Sequence, residues 1–132
     1  MRTVLLLHNL PDRSSHVDWL FEIDEACSPR IPTFRLADRP DLPGVRRFEG
    51  VRLADHRRRY LDYQGDIGGG RGSVSRVAAG CVELVSLSER HVEIRLVLDR
   101  RRHVWSGVRM REPGGGDQAG GAPWRFEVMP DE

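Results

Sequence analysis

Short stretches in which apolar and polar side chains alternate recur along this chain, and they constrain its fold more than any other feature. The clearest is residues 91–98, HVEIRLVL, in which every second side chain is apolar. A period of two is typical of a β-strand with one buried face, and no segment keeps the helical period of 3.6 residues. Stretches of this kind occupy residues 3–8, 16–23, 32–37, 45–53, 73–78, 81–87, 91–98, 103–110 and 124–128.

The alternation predicts an all-β protein. A compact antiparallel β-barrel is the simplest architecture, because closure leaves no exposed strand edge. We also expect short helical turns, one of them around Asp55–Tyr60. The chain of 132 residues is long enough to bury one core, so we expect a single domain over residues 1–132. The glycine-rich residues 113–123 predict a flexible loop before the last strand.

Composition narrows the class of protein further. No run approaches the ~18 apolar residues that a membrane span needs, and the first residues lack the pattern of a secretory signal. We therefore expect a cytoplasmic protein. The two cysteines, Cys27 and Cys81, have no CxxC spacing, which favours buried free thiols over a disulfide scaffold.

The pair His16 and Asp18 is the most informative polar feature. Both lie in a predicted strand, where residues two apart share a face, so the two side chains could bind one ion. His8, at the end of the first strand, would lie close to His16 if the first two strands pair as a hairpin. Two imidazoles and a carboxylate suit a divalent ion such as manganese, iron or zinc. Ordinary surface or core histidines are the alternative.

Arginine supplies all the positive charge outside the histidines, since the chain has 21 basic residues and no lysine, with a net charge of +1. Residues 46–59 contain six arginines against Glu49 and Asp55. A patch of guanidinium groups there would suit a phosphate backbone, because each can bind phosphate through two parallel hydrogen bonds. A solvated face without function is the alternative.

A second polar cluster is HRRRYLDYQG, in which His56 and Tyr60 bracket three arginines. The glycine-rich residues 65–73 follow it directly. They lack the lysine of a P-loop and open no helix, which excludes a Walker nucleotide site. A hairpin loop and a phosphate-binding loop both remain open for this stretch.

These motifs, taken in order, resemble a known family. His8, then His16-x-Asp18, then His56-x3-Tyr60 and the stretch GGGRGSV resemble the 3′-phosphoesterase domain of bacterial DNA ligase D, and especially the small stand-alone proteins that carry it. The similarity extends from His8 to about Gly80.

The resemblance implies a compact β-barrel enzyme with a divalent metal, manganese foremost and zinc or another transition metal as substitutes. His8, His16 and Asp18 would bind the metal, and His56 and Tyr60 would contact the scissile phosphate as catalytic residues. The implied activity removes a 3′-phosphate or a terminal ribonucleoside from nucleic-acid ends in DNA end repair. DNA or RNA 3′ ends would be the partners, together with a separate ligase or polymerase.

The resemblance also implies that Arg71, in the glycine-rich stretch, binds phosphate. One position departs from the family pattern, because the ligase-linked domains carry a phosphate-binding arginine where this chain has Leu20. Arg35 or the arginines of residues 46–59 could take that role.

Two other functions stay open at this point. A non-catalytic module of the same fold could bind nucleic-acid ends without turnover, and Leu20 favours that alternative. The HxD pair is also similar to the ligand set of iron and 2-oxoglutarate oxygenases, with His91 as the distal histidine and Arg102 as the cosubstrate-binding arginine.

Overall fold

A computed structural model describes residues 1–23, 28–110 and 122–129. Over these ranges the chain forms nine β-strands and one 3-10 turn, Arg58–Leu61. The strands are β1 Arg2–Asn9, β2 Ser15–Phe21, β3 Arg30–Leu36, β4 Arg47–Arg57, β5 Gly65–Asp66, β6 Ser73–Leu87, β7 His91–Leu98, β8 Arg101–Arg109 and β9 Pro123–Val128. The loop predicted at 113–123 lies outside the described residues, apart from Ala122 and Pro123.

Eight of the strands form a closed antiparallel barrel, which confirms the predicted fold class. The order around the barrel is β1, β2, β3, β4, β9, β8, β7, β6, and β6 pairs with β1 to close it. The two-residue β5 adds a short pairing to the start of β6. Closure pairs the strand edges that an open sheet would expose.

Two boundaries of the predicted pattern differ in the structure. Residues 73–78 and 81–87 belong to one strand, β6, which continues through Gly80. A Cβ at position 80 would lie 1.8 Å from the Val97 carbonyl oxygen, so only glycine fits there. The small residue that interrupts the apolar pattern is therefore required by a close approach of β7. The helical turn starts at Arg58 and not near Asp55, because β4 extends to Arg57.

Aromatic side chains fill the barrel. Every strand of the barrel contributes to this core, and its largest fully buried members are Trp19, Trp105, Phe21, Phe34 and Phe126. The Phe34 ring packs edge-on against those of Trp124 and Phe126, with centroids 5.1 Å apart in both pairs. Side chains can fill the interior of an eight-stranded barrel and leave no room there for a ligand. The polar clusters around His16 and His56 lie on the outer surface.

A second apolar cluster lies on the outer face of β1 and β2. It consists of Val4, Leu6, Leu20, Ile31, Leu61 and Val74. The 3-10 turn covers it and begins the stretch that we call the covering segment, residues 58–72. As a result β2 is buried on both faces and not on one, and Leu20 is completely buried.

Ion pairs and hydrogen bonds attach the covering segment to the barrel wall. Arg2 pairs with Asp62 at 2.6 Å and donates a hydrogen bond to the Leu61 carbonyl at 3.2 Å. Arg58 pairs with Glu22, a buried carboxylate that also accepts a hydrogen bond from the Arg2 backbone N–H. These contacts fix the position of the turn against β1 and β2.

Two further sequence expectations can be compared with the structure. Cys81 is a free thiol, as expected, but it is exposed on β6, so the prediction of burial is wrong. Cys27 lies outside the described residues. Within the described ranges, no helix has the length and apolar character needed to cross a bilayer.

Leu20→Ala tests whether this position belongs to the outer apolar cluster. We expect the free energy of unfolding to fall by about 2–5 kcal/mol, because the substitution leaves a cavity beneath the 3-10 turn. Urea unfolding followed by tryptophan fluorescence measures the loss. Leu42→Ala is the matched control, since Leu42 is 42% exposed, and an equal effect of both substitutions would contradict the assignment.

Candidate metal centre and its groove

The β1–β2 hairpin places His8 directly opposite His16. The two residues are partners in the antiparallel register, and the His8 Nδ1 and His16 Nε2 atoms lie 2.9 Å apart. Asp18 follows on the same outer face of β2. One ligand atom from each of the three side chains lies within 4.8 Å of the other two, so the structure brings the three predicted ligands together.

Asp18 is the most buried member of this group, with 4% of its surface exposed. Arg35 is its register partner on β3 and donates a hydrogen bond from Nε to Asp18 Oδ1 at 3.2 Å. His56 Nε2 lies 3.7 Å from Asp18 Oδ2. Burial would raise the pKa of Asp18, but the interactions with His56 and Arg35 outweigh it and hold that pKa below its usual value. The carboxylate therefore stays ionised near neutral pH.

His56 lies one residue before the end of β4 and points back toward Asp18. Its Nδ1–H donates a hydrogen bond to the Ala54 carbonyl at 3.0 Å, which leaves Nε2 facing the carboxylate. Asp18 raises the pKa of His56 above its ordinary value, against the opposing effect of burial. The Tyr60 ring lies nearby, with centroids 6.3 Å apart. The structure thus brings His56 and Tyr60, two of the three residues predicted to contact phosphate, to one place.

The two histidines of the hairpin share a hydrogen bond between ring nitrogens, with His16 Nε2–H as the donor and His8 Nδ1 as the acceptor, and a bound ion would take the place of that proton. Burial lowers the pKa of His16, and Arg35 and His8 lower it further while Asp18 opposes them, so the ring favours its neutral form. His8 Nε2 donates a hydrogen bond to the Arg71 carbonyl at 2.9 Å. In neutral His8 this bond leaves the Nδ1 lone pair facing His16. A backbone acceptor behind a histidine ligand is the usual arrangement in metal sites.

The glycine-rich stretch holds that carbonyl in place. It is a hairpin loop between β5 and β6, closed by a hydrogen bond from the Ile67 N–H to the Gly72 carbonyl at 3.0 Å. Gly72 has a φ of +95°, and a Cβ there would lie 1.9 Å from the Asn9 carbonyl oxygen. Only glycine lets the loop come this close to β1, where it reaches His8.

Arg71 is predicted to bind phosphate, and the residue lines the groove together with His8. Its guanidinium folds back onto its own loop, however, where Nη2 donates to the Ile67 carbonyl at 2.7 Å and Nε donates to the Gly68 carbonyl at 3.2 Å. Its direct contact with the histidine cluster is made through the backbone carbonyl.

A groove of about 730 Å³ runs along this outer face. Four arginines line it, against the carboxylates of Asp18 and Asp55. The arginines are Arg30, Arg35, Arg57 and Arg71. The excess of fixed positive charge favours an anionic ligand.

The arginine patch predicted over residues 46–59 reaches this groove at Arg57 only. Arg58 pairs with Glu22, and the guanidinium of Arg59 lies over the rings of Tyr60 and Tyr63. Sequence analysis missed Arg30, because its place opposite Arg57 depends on the pairing of β3 with β4.

The histidine and arginine of the oxygenase alternative lie elsewhere on the barrel. His91 Nε2 is 3.1 Å from Ser106 Oγ, and Arg102 pairs with Glu83 at 3.1 Å. Neither is among the described residues that line the groove. The structure does not join them to His16 and Asp18.

No protein-family model matches this chain, and no curated protein sequence does. Its function therefore has to be inferred from the groove and the side chains that line it.

Gly72→Ala tests whether the loop positions His8. We expect the added methyl group to push the loop away from Asn9 and break the bond between His8 Nε2 and the Arg71 carbonyl. The nitrogen chemical shifts of the His8 ring report which nitrogen carries the proton. Gly68→Ala is the matched control, because its φ is also positive (+78°) but nothing lies within 4 Å of the added atom. An unchanged His8 ring in Gly72→Ala would contradict the positioning role.

His56→Gln tests the contact with Asp18 through its pH dependence. The pKa of His56 is higher in the folded state than in the unfolded state, where it is about 6.5. The stability that His56 contributes is therefore fully present at pH values below the unfolded-state pKa, and it is lost as the pH rises through the folded-state pKa. We therefore expect the substitution to destabilise the protein more near pH 6 than near pH 8. Urea unfolding at both pH values measures this. The pH dependence should vanish in an Asp18→Asn background, and its persistence there would assign it to another group.

Proposed function

We propose that the protein is a metal-dependent phosphoesterase that acts on 3′ ends of nucleic acid and removes a 3′-phosphate or a terminal ribonucleoside in DNA end repair. The observation that carries the proposal is the cluster of His8, His16 and Asp18, which joins an arginine-lined groove through His8, Asp18 and His56. Such an enzyme trims ends that a separate ligase or polymerase then uses. We place this activity in the cytoplasm.

The donor set fits a divalent transition metal, because two imidazole nitrogens and an ionised carboxylate lie within 4.8 Å of one another. We propose manganese, with zinc or another transition metal as substitutes. When bound, the ion would withdraw charge from a phosphate oxygen. The hydrogen bond from His8 to the Arg71 carbonyl would orient the ring toward the ion.

His56 and Tyr60 are the proposed catalytic residues. The raised pKa of His56 increases the fraction of protonated ring near neutral pH, and in that form Nε2–H can donate to a phosphate oxygen or protonate the leaving oxygen. The Ala54 carbonyl accepts from the other ring nitrogen and fixes the direction of that proton. Tyr60 lies beside the His56 ring and would orient the same phosphate through its hydroxyl group.

Arg35 is our candidate for the phosphate contact that the family pattern assigns to position 20. Leu20 is completely buried beneath the 3-10 turn, so a groove contact from that position is not available. Arg35 reaches the same outer face from β3 and lines the groove beside Asp18. Among the described residues, its guanidinium makes one hydrogen bond, from Nε to Asp18. Its remaining N–H groups are the donors that a phosphate needs.

A non-catalytic module that binds nucleic-acid ends is the second candidate. Leu20 favours this candidate, because it stands where the family pattern has a phosphate-binding arginine. A groove with fewer phosphate contacts could bind a nucleic-acid end without stabilising a transition state. A binding module would keep salt-sensitive affinity for oligonucleotides after loss of His16, whereas an enzyme would lose turnover.

Manganese-dependent release of phosphate from a primer-template with a 3′-phosphate tests the proposal. We expect His16→Ala and His56→Ala each to lower the rate by ~10²-fold or more, since one removes a proposed ligand and the other a proposed proton donor. His91→Ala is the matched control, because His91 lies outside the groove and contacts Ser106.

Manganese calorimetry separates the two candidates. Binding that His16→Ala abolishes, without phosphate release by the native protein, would support the binding module. Release that survives both substitutions would contradict the site as we assign it.

A further inference from the structure

Arg30 and Arg57 form an unusual pair at the end of the groove. They are partners in the register between β3 and β4, so their side chains share one face. Both are exposed and both line the groove. Like charges directly opposite each other on neighbouring strands are destabilising. The register therefore places two like charges opposite each other at this position.

The described residues provide little compensation for that repulsion. Arg30 donates one hydrogen bond, from Nη1 to the Asp55 carbonyl at 3.3 Å, and within the described ranges the Arg57 guanidinium has no hydrogen bond or ion pair. Asp55 also lines the groove, but within the described ranges its carboxylate pairs with Arg52, at 3.9 Å. Arg58, the residue after Arg57, does have a partner in Glu22.

We infer that Arg30 and Arg57 form a second anion subsite, which binds the phosphate next to the terminal one in an oligonucleotide. The inference rests on the proposed function, which places the terminal phosphate at His56, and His56 lines the same groove as Arg30 and Arg57. An anion between the two guanidinium groups turns their repulsion into two charge-assisted contacts. The groove then selects a polynucleotide end over a free nucleoside monophosphate.

The test compares two probes, a single-stranded hexanucleotide with a 3′-phosphate and a nucleoside 3′-monophosphate. Their affinities are measured with EDTA present, so that neither is hydrolysed. In the double variant Arg30→Gln, Arg57→Gln we expect the affinity for the hexanucleotide to fall about tenfold, while that for the monophosphate changes less than about twofold.

Salt dependence gives an independent readout. Loss of two single-strand phosphate contacts makes the slope of log K for the hexanucleotide against log salt concentration shallower by about 1.4. When the salt is raised from 50 to 200 mM, the loss of affinity should therefore be about sevenfold smaller in the double variant than in the native protein. Arg47→Gln, Arg125→Gln is the matched control, with the same change in charge. Those arginines face Glu127 and Glu49 in the register between β4 and β9, away from the groove.

The outcomes separate this inference from the proposed function. Two results would overturn the subsite even if phosphate release is observed. In one, the double variant binds the hexanucleotide as tightly as the control variant does. In the other, the native protein binds the hexanucleotide no more tightly than the monophosphate. Hexanucleotide binding that depends on Arg30 and Arg57, without phosphate release in manganese, supports the subsite and overturns the proposed activity.

Discussion

The register between β1 and β2 is the constraint on which the rest of the site depends. Leu5 faces Trp19 in the barrel interior, and this pairing fixes His8 opposite His16 on the outer surface. A slip of one residue would turn every side chain of one strand to the wrong face, so burying the Trp19 ring also specifies which residues face the groove. The aromatic core therefore determines the geometry of a polar cluster that it does not contact.

The covering segment supplies the other half of the site. Its 3-10 turn packs Leu61 on Leu20, and its glycine loop brings the Arg71 carbonyl to His8. Immediately before Leu61, the same turn brings Tyr60 to the ring of His56. Apolar burial holds one end of the segment and close backbone approach at Gly72 holds the other, so the positions of the functional groups follow from packing on both sides of the groove.

Local patterning was enough to predict the all-β barrel and the meeting of His8, His16 and Asp18. Period-two alternation reports which side chains share a face, and hairpin pairing of neighbouring strands is the simplest connection. Alternation within one strand does not predict features that depend on pairing between segments distant in the sequence. Arg30 faces Arg57 across β3 and β4, and Leu20 is covered by a turn some forty positions later in the sequence, which alternation within β2 cannot reveal. The same limit explains the wrong expectation for Cys81, whose side chain lies on the outer face of a strand that continues through Gly80.

The filled interior of the barrel has a consequence for how such a protein can diversify. Because the candidate chemistry lies on the outer wall and beneath one continuous covering segment, residues 58–72, substitutions there leave the aromatic core intact. The candidate metal ligands and the aromatic core are thus separate sets of side chains. A lineage built on this plan can exchange its specificity by rewriting one surface segment, whereas a protein that binds its ligand inside the barrel must repack its core with every such change.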